Sequence, residues 1–467
     1  MFAWRNLNAS AQLCSQARQL KIAEFLAQRE SGKCHRSHLS LPDGKAIGGR
    51  TLYHRRQIAI FCLVMIGLTA CTNQERRLQG TLLVWHTWPG VHGDMLTTSI
   101  DSFVEVNPGV VIVSEYVPGE DLLSRFRDQA AAGLGPDLLL GVSPATVRQL
   151  ATADLLVDLA PYEPDLSKLN ANAVDALRLN KSLPGLPISA YTPVLFYNRR
   201  SVEQPPQTLD EVLTVARSGQ IFAFPTCFRH SFWGLRGIDG VSDGTQDAFA
   251  ITGALPVWLR WLQRAQAEPN MVLSDDEDEL DTLFASGRAT YYIGESIHLP
   301  ALRQRLGEEH VGVAPLPDGS QIAAKINVET ETATELPFAV HQPPGAFLEL
   351  EIAAISRISA RKELALQLIL FLANPVHQRR LASSDLGHVP VNQRVRYDHR
   401  LSPSQSTIVR QSATAVVIPL RDIPAMGILG DVADGVYAQV MEGVLEPDEA
   451  SDQIFEDLNL VIEETNQ

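Results

Sequence analysis

Segments with the pattern of strands alternate with segments with the pattern of helices from Thr81 to Leu140, and this alternation restricts the fold most strongly. The strand-like segments are apolar and β-branched, whereas apolar residues recur at helical spacing in the others. The predicted strands are Thr81–Trp85, Val110–Val117 and Asp137–Leu140, and the predicted helices are Asp94–Phe103 and Leu122–Ala132. Such an alternation is typical of α/β architecture with a parallel sheet.

Candidate ligand-binding residues follow the first two predicted strands. His86 and Trp88 come directly after the first strand, and Tyr116 lies near the end of the second. Ligands of parallel sheets bind beyond the carboxyl ends of strands, and loops carry sites more often than strands do. We therefore expect Trp88 to line a ligand cleft, with a core position as the alternative. His86 could donate to a ligand hydroxyl or simply bond to a loop carbonyl.

A short apolar run, Ile58–Cys71, precedes this region and determines where the working protein begins. Arg55 and Arg56 stand before the run, and small residues close it. A positive segment, a short apolar segment and a small-residue exit are typical of a secretory signal. The run is shorter than the roughly 20 apolar residues of a membrane-spanning helix. A buried core helix or part of a membrane span is the alternative.

The end of this run, Leu-Thr-Ala-Cys, resembles the lipobox of bacterial lipoproteins. The resemblance implies that residues 55–71 are a lipoprotein signal, that Cys71 is lipidated and that residues 1–70 are removed. Residues 1–54 would then be an extension ahead of the signal, and residues 72–78 a polar tether. We expect a protein anchored by lipid at the periplasmic face of the cytoplasmic membrane.

The charge and the cysteines exclude several classes of protein. Residues 1–70 carry ten Lys and Arg but three Asp and Glu, so the remainder has a formal charge of −22 instead of −15. A surface this acidic repels nucleic acid and anionic lipid. Only Cys227 remains after Cys71, and we find no Cys and His cluster at metal-ligand spacing. We expect no disulfide, no metal and no cofactor. The length predicts two domains.

Several runs, in order, resemble the extracellular solute-binding proteins of ABC importers, the family that includes maltose-type sugar binders. The runs include LLVWHTWPG, FVEVNPGVVIVSEYVP, FRDQAAAGLGPDLLL, LPGLPISAYTPVLFYNRR, LFASGRATYYIGES and GHVPVN. Each run is short, but their succession covers nearly all of residues 79–460. The resemblance implies a two-lobed periplasmic-binding-protein-like α/β fold of type II, with a ligand cleft between lobes that crossing hinge segments join.

The resemblance also implies where the lobes begin and end. The crossings would lie at Pro187–Pro193, near Ile352–Ile355 and near Val416–Pro419. Lobe I would comprise residues 79–187 plus 353–415. Lobe II would comprise residues 188–352 plus 416–467.

Sugars present hydroxyls to carboxylates and amides, and ring faces to aromatic side chains, so a sugar cleft mixes both kinds of residue. Trp233 is the predicted stacking residue of lobe II, whereas Trp258 and Trp261 have helical spacing typical of a core. From the resemblance we add Ser189, Tyr191, Asp137, Glu295 and Phe347 to Trp88, His86 and Tyr116. Asp137 could instead bond to backbone amides, and Glu295 could be a solvated helix-start residue.

The predicted function is that of a receptor whose lobes close over a small polar solute, a saccharide or a polyol glycoside. A monomer of this kind would deliver the solute to the permease subunits of an ABC importer in the membrane, without making or breaking a bond. The first alternative is an exported glycosidase, which needs two carboxylates on opposite sides of one bond; no motif fixes such a pair. A sensor of the same fold that has lost transport is the second.

Overall fold

The computed structural model describes residues 78–237, 241–242, 250–251, 255–319, 345–395 and 403–465. These residues form two five-stranded sheets with helices packed on them, and one short two-stranded pair. The strands are β1 (Gln79–His86), β2 (Gly109–Tyr116), β3 (Leu138–Val142), β4 (Leu186–Tyr191), β5 (Pro193–Asn198), β6 (Phe222–Pro225), β7 (Val241–Ser242), β8 (Ala250–Ile251), β9 (Met271–Ser274), β10 (Tyr291–Glu295), β11 (Val311–Ala314) and β12 (Glu349–Ile355).

Fourteen α-helices lie in the described part of the chain. They are α1 (Gly90–Val106), α2 (Gly119–Ala131), α3 (Pro144–Thr152), α4 (Ala171–Ala176), α5 (Leu209–Arg217), α6 (Phe228–Gly237), α7 (Leu255–Gln266), α8 (Glu277–Ala285), α9 (Leu299–Leu306), α10 (Lys362–Leu372), α11 (Pro375–Ser383), α12 (Pro403–Ser412), α13 (Ile423–Met441) and α14 (Ala450–Thr465). None of the described helices is both long and apolar enough to cross a bilayer.

The first sheet has the strand order β2-β1-β3-β12-β4. Strand β1 runs parallel to β2 and to β3, as the alternation of strand and helix predicts. Strand β12 runs antiparallel to both β3 and β4. Helices α1, α3 and α10 bury apolar side chains in the core beside this sheet, including Phe103, Leu150 and Ile369.

The second sheet has the order β11-β5-β10-β6-β9 and its own core. That core is rich in aromatic rings, and Phe224 lies at its centre. The Phe224 ring centroid is 5.8 Å from that of Trp233 and 5.4 Å from that of Trp261. Trp258 and Trp261 stack with centroids 5.2 Å apart, as their helical spacing predicts. The α/β, two-lobed architecture expected from the sequence is confirmed.

The connections between the sheets are short. Strand β4 ends at Tyr191 in the first sheet and β5 begins at Pro193 in the second, so Thr192 alone joins them. A second connection enters β12 through residues 345–348, where Phe347 forms a β-bridge with Val416. The two lobes can therefore rotate about Thr192 and about this paired segment.

Three of the predicted lobe boundaries differ from the strand pairing. All of β4 pairs in the first sheet, so the chain crosses at Thr192, within the predicted crossing Pro187–Pro193, and lobe I extends to Tyr191 instead of ending at residue 187. Strand β12 also pairs in the first sheet from Glu349 onward, where its apolar residues complete the core beside β3 and β4. The segment Ile352–Ile355 is therefore not a crossing. Helix α12 packs on the second lobe, where Gln411 Oε1 accepts from the Leu316 amide at 2.9 Å.

The predicted extension at residues 1–54, the signal at 55–71 with Cys71, and all but the last residue of the tether at 72–78 lie outside the described residues.

Candidate functional site

Four polar side chains share one face of the antiparallel pair β4 and β12. Glu349 lies opposite Tyr191, and Glu351 lies opposite Ser189. Residues directly opposite each other in such a pair point to the same side, as do residues two apart in one strand. Ser189, Glu349 and Glu351 are buried, and Tyr191 is partly exposed. This polar face lies next to Thr192, where the chain passes to the second lobe.

Glu351 is the centre of a hydrogen-bonded group in lobe I. Its Oε1 accepts from Trp88 Nε1 at 2.6 Å, and its Oε2 is 2.8 Å from His388 Nδ1. Burial alone would raise the pKa of Glu351, but the charge and hydrogen bond of His388, together with a hydrogen bond from Ser189, hold that pKa below its usual value. Glu351 is therefore an ionised carboxylate at neutral pH, and it orients the Trp88 indole.

His388 connects this group to helix α1. His388 Nε2 is 2.8 Å from His92 Nδ1, and the His388 ring lies 4.9 Å from the Trp88 ring. Burial, followed by the charge of the nearby His388, lowers the pKa of His92 to about 4. His92 is therefore a neutral imidazole near pH 7 and adds no charge beside Glu351.

An ion pair crosses from one lobe to the other at the edge of this face. The Arg229 guanidinium, on α6 of lobe II, contacts the Glu349 carboxylate on β12. Half of the Arg229 side chain is exposed, whereas that of Glu349 is nearly buried. Burial, then the charges of Glu349 and Glu295, raise the pKa of Tyr191 well above its usual value. Tyr191 thus presents a neutral phenol beside a paired cation and anion.

A second carboxylate group comes from lobe II. Glu295 ends β10, and His230 on α6 lies between Glu295 and Glu277 on α8. His230 Nδ1 is 2.9 Å from Glu277 Oε1, and its Nε2 is 3.8 Å from Glu295 Oε1. Burial alone would lower the pKa of His230, but hydrogen bonds to Cys227 and Glu277 and the Glu277 charge raise it to about 10. His230 is therefore a cation at neutral pH.

The lobes also meet at Ser296, directly after β10. Ser296 Oγ donates to the Gly387 carbonyl of lobe I at 2.6 Å and accepts from the Thr192 amide at 3.3 Å. Ser296 is fully buried. The Ser296 hydroxyl therefore joins the two lobes through hydrogen bonds.

Of the predicted site residues, the structure brings four together between the sheets: Trp88, Ser189, Tyr191 and Glu295. His86 and Tyr116, the last residues of β1 and β2, lie together nearby with ring centroids 5.9 Å apart. His86 is buried and bonds to the Trp88 backbone, and burial lowers its pKa. Tyr116 is 46% exposed and forms part of the lobe I surface at the strand ends. Their contact with a solute stays a prediction.

Three predicted site residues lie elsewhere. Trp233 is completely buried in the aromatic core of lobe II, because α6 turns its indole onto Phe224 and away from the polar face. Asp137 accepts from the Leu83 amide at 2.9 Å and from the Ser359 hydroxyl, so its carboxylate binds backbone within lobe I. Phe347 is buried with its ring stacked 4.1 Å from that of Phe232. Trp233 and Phe347 are core residues.

The sequence reasoning missed Glu349, Glu351, Arg229, His92 and His388. One signal was available for the two glutamates: they occupy alternate positions at the start of an apolar strand, in the run LELEIAAI. Carboxylates at such positions lie on one buried face and need partners. Their partners come from distant parts of the chain, which no local pattern indicates.

Comparison with known proteins agrees with this architecture. Residues 98–402 match the profile of the family described as bacterial extracellular solute-binding protein. A galactooligosaccharide-binding protein of Bacillus subtilis is 22% identical over 86% of this chain and 96% of its own length. A maltotriose-binding protein of Pyrococcus abyssi is 29% identical over 31% of this chain, and the match spans only about a third of that protein, 32%.

Solved structures share the fold. The GacH receptor of Streptomyces glaucescens, solved unliganded and with acarbose, superposes with a TM-score of 0.65 at 17% identity, over 82% of this chain and 98% of that one. The two-lobed fold and a profile match over more than half of the chain define the class: this chain belongs to the bacterial extracellular solute-binding protein family. It is accordingly a protein of the cell envelope or exterior.

Proposed function

We propose that this protein is the saccharide-binding component of an ABC importer. The observation that supports this most directly is the polar face of Tyr191, Glu349 and Glu351, which meets Arg229 and Glu295 of the other lobe beside the crossing. Carboxylates and phenols bind hydroxyl groups, and the exposed ring of Tyr116 provides apolar surface, whereas Trp88 is 7% exposed and acts through Glu351. The named relatives that bind maltotriose and galactooligosaccharides support a saccharide as the solute.

The proposed mechanism is closure of the lobes over the solute. Thr192 and the paired segment at Phe347 and Val416 allow rotation, and bound solute favours the closed arrangement by bridging the two sets of polar groups. In this scheme Arg229 and Tyr191, which are partly exposed, contact the solute first. Trp88 and Ser189 contribute through Glu351, whose position they fix. The closed form would then be recognised by the permease subunits, to which a single copy of this chain delivers its solute.

The protein would catalyse no reaction on its solute. The relatives named above are binding proteins. A glycosidase needs one protonated and one ionised carboxyl on opposite sides of the scissile bond, so the solute panel described next also measures the release of a smaller sugar.

A solute panel tests the binding function. The protein, expressed with its own N-terminal segment and purified, is melted with maltotriose, galactooligosaccharides, polyols, sugar phosphates and amino acids. A solute at a hundred times its dissociation constant should add about 2.7 kcal/mol to the unfolding free energy. We expect stabilisation by saccharides and none by the other classes. No stabilisation across the panel would contradict the proposal, and release of a smaller sugar would identify an enzyme instead.

We further propose that Cys71 anchors the protein to the cytoplasmic membrane through lipid. Stable anchoring takes more than one acyl chain, and a lipidated N-terminal cysteine can carry them. Cys71→Ser should move the protein from the membrane to the soluble fraction, measured by immunoblot after high-salt washing of membranes. The matched control is Cys227→Ser, which removes the chain's other late cysteine and should leave the protein on the membrane. Retention of the Cys71→Ser variant would refute the anchor.

A further inference from the structure

We propose that the solute carries a basic nitrogen, and that Glu295 binds this ammonium group in the closed cleft. The inference rests on the proposed binding function and narrows its solute class to amine-bearing saccharides. The proposal follows from comparing the carboxylates between the lobes with the basic side chains beside them. One buried carboxylate, Glu295, has no basic side chain in direct contact that it does not share.

Three of the four carboxylates between the lobes have a basic partner in direct contact. Arg229 contacts Glu349, His230 lies 2.9 Å from Glu277, and His388 lies 2.8 Å from Glu351. Each pair is an anion beside a base, so each satisfies its own charge. Each of these three bases is therefore already paired with a carboxylate. A solute could bind to one of the bases only by breaking its existing pair.

Glu295 is the fourth carboxylate, and its environment differs. The residue is 7% exposed, and its Oε2 has no hydrogen-bond partner among the residues that the structure describes. Its nearest basic nitrogen is His230 Nε2, at 3.8 Å, and His230 already contacts Glu277 through Nδ1. A buried carboxylate without a partner is costly, so the group requires either a proton or a cation.

The position of Glu295 makes it available to a solute. It ends β10 opposite Pro193, directly after the Thr192 crossing, and it belongs to lobe II. Glu349 and Tyr191, which act electrostatically on it, belong to lobe I. Movement of the lobes about Thr192 would therefore separate Glu295 from Glu349 and Tyr191 and give a solute access to the Glu295 carboxyl, which lies buried in the empty protein.

The electrostatics of the empty site agree with a missing cation. The pKa of Glu295 is raised to about 8, with burial as the largest cause; the charges of Glu349 and Glu277 contribute to the increase, and those of His230 and Arg229 oppose it. The phenols of Tyr191 and Tyr292 are also close, and burial keeps both neutral. Without solute, Glu295 therefore holds a proton near pH 7.

An ammonium group changes that protonation state, whereas a hydroxyl does not. When R–NH₃⁺ binds, the Glu295 carboxyl loses its proton to the solvent and the resulting carboxylate pairs with the ammonium. Charge-assisted hydrogen bonds of this kind are stronger than neutral ones. A neutral sugar hydroxyl leaves the proton on Glu295. A bound metal is a poorer candidate, because the described residues contain no group of three side chains that could ligate one.

The test compares saccharides that differ only in carrying amino groups in place of hydroxyl groups. Cellotriose is paired with chitosan trisaccharide, and maltotriose with an aminodeoxy maltotriose, in calorimetric titrations at pH 6.5, where the amines are charged. We expect the amine-bearing member of the preferred pair to bind about tenfold more tightly or better. Titrations in two buffers of different ionisation enthalpy should show release of about one proton per solute bound, because Glu295 is protonated in the empty protein.

Two variants identify the carboxyl responsible. Glu295→Gln should reduce the preference for the amine to about one and abolish proton release. Glu308→Gln, which removes an exposed carboxylate of the same lobe, should change neither. Tighter binding of neutral saccharides without proton release would overturn the amine proposal and leave saccharide binding intact. Failure of both classes to bind would instead refute the binding function itself, so the two failures are distinguishable.

A stability measurement without any solute checks the state of Glu295. Its folded pKa is about 8 against an ordinary value of 4.5, so the folded state binds the extra proton. Stability from this group is therefore present below pH 4.5 and is lost as the pH rises to about 8. Glu295→Gln should raise the melting temperature relative to the parent at pH 8.5 and not at pH 4.5. An equal effect at both pH values would overturn the proposal.

Discussion

Replacing Trp233 with alanine should lower the unfolding free energy by about 3–5 kcal/mol, the usual effect of removing a fully buried tryptophan. The Trp233 indole has no exposed surface, and its ring packs against Phe224 and Trp258 at centroid distances of 5.8 Å and 6.2 Å. Its loss leaves a cavity at the centre of the lobe II core. Equilibrium denaturation of the variant and the parent measures the difference.

A conservative variant separates this structural role from the predicted binding role. Trp233→Phe keeps most of the apolar volume, and we expect a smaller loss of stability and an unchanged solute affinity. Trp88→Phe is the matched comparison, because it removes the indole N–H that Glu351 accepts and should weaken binding. If Trp233→Phe bound the solute much more weakly than the parent while remaining as stable, Trp233 would belong to the cleft after all.

The incorrect prediction for Trp233 has a specific physical cause. In the sequence, Phe-Trp-Gly follows an apolar stretch, and Trp233 is predicted to stack on the solute. The structure shows it inside helix α6, where Gly234 leaves room for Trp258: a Cβ at Gly234 would lie 2.1 Å from that indole. Gly234 therefore allows close packing between the two helices α6 and α7. From the sequence alone, a glycine of this kind cannot be distinguished from a loop glycine, because its packing partner, Trp258, lies in another helix.

Asp137 illustrates the same limit for a polar residue. The sequence pattern places Asp137 at the start of a strand, with a cleft role and bonding to backbone amides as alternatives, and strand β3 begins at the next residue, Leu138. Its carboxylate satisfies the Leu83 amide, 54 residues earlier, where β1 extends beyond its pairing with β3. Local periodicity and the α/β pattern predict that β1, β2 and β3 are strands and that they pair in parallel. They do not predict the register of that pairing, and the register determines which backbone amide donates to Asp137.

The candidate site depends on register even more strongly. Tyr191 and Ser189 were predicted from the sequence, but their partners Glu349 and Glu351 were not. The pairing of β4 with β12 joins segments more than 150 residues apart and contains a shift between Glu351 and Ile352. A shift of one residue would turn both carboxylates to the opposite face of the sheet. The residue types of the cleft were thus predictable, whereas the charge pairs that leave Glu295 unmatched were not.

Replacing Gly387 with alanine should weaken solute binding about ten- to a hundred-fold by opposing closure of the lobes. Gly387 has φ +82°, and a Cβ built there would lie 1.8 Å from the Ser296 carbonyl oxygen of the other lobe. A contact this short with backbone cannot be relieved by a side-chain rotation, so the lobes must move apart. Since Ser296 Oγ also donates to the Gly387 carbonyl, the same movement breaks an inter-lobe hydrogen bond.

Gly443→Ala provides the matched control for this substitution. Gly443 also has a left-handed backbone, with φ +72°, but a Cβ there would meet nothing within 4 Å. Backbone strain should therefore cost each variant about 1 kcal/mol of stability, and only Gly387→Ala should also lose affinity. Small-angle scattering with saturating solute should give a larger radius of gyration for Gly387→Ala than for the control. Equal affinities and equal radii for the two variants would contradict this prediction. They would show that the contact between Gly387 and Ser296 does not control closure of the lobes, which would then depend on the polar groups around Glu349 and Arg229.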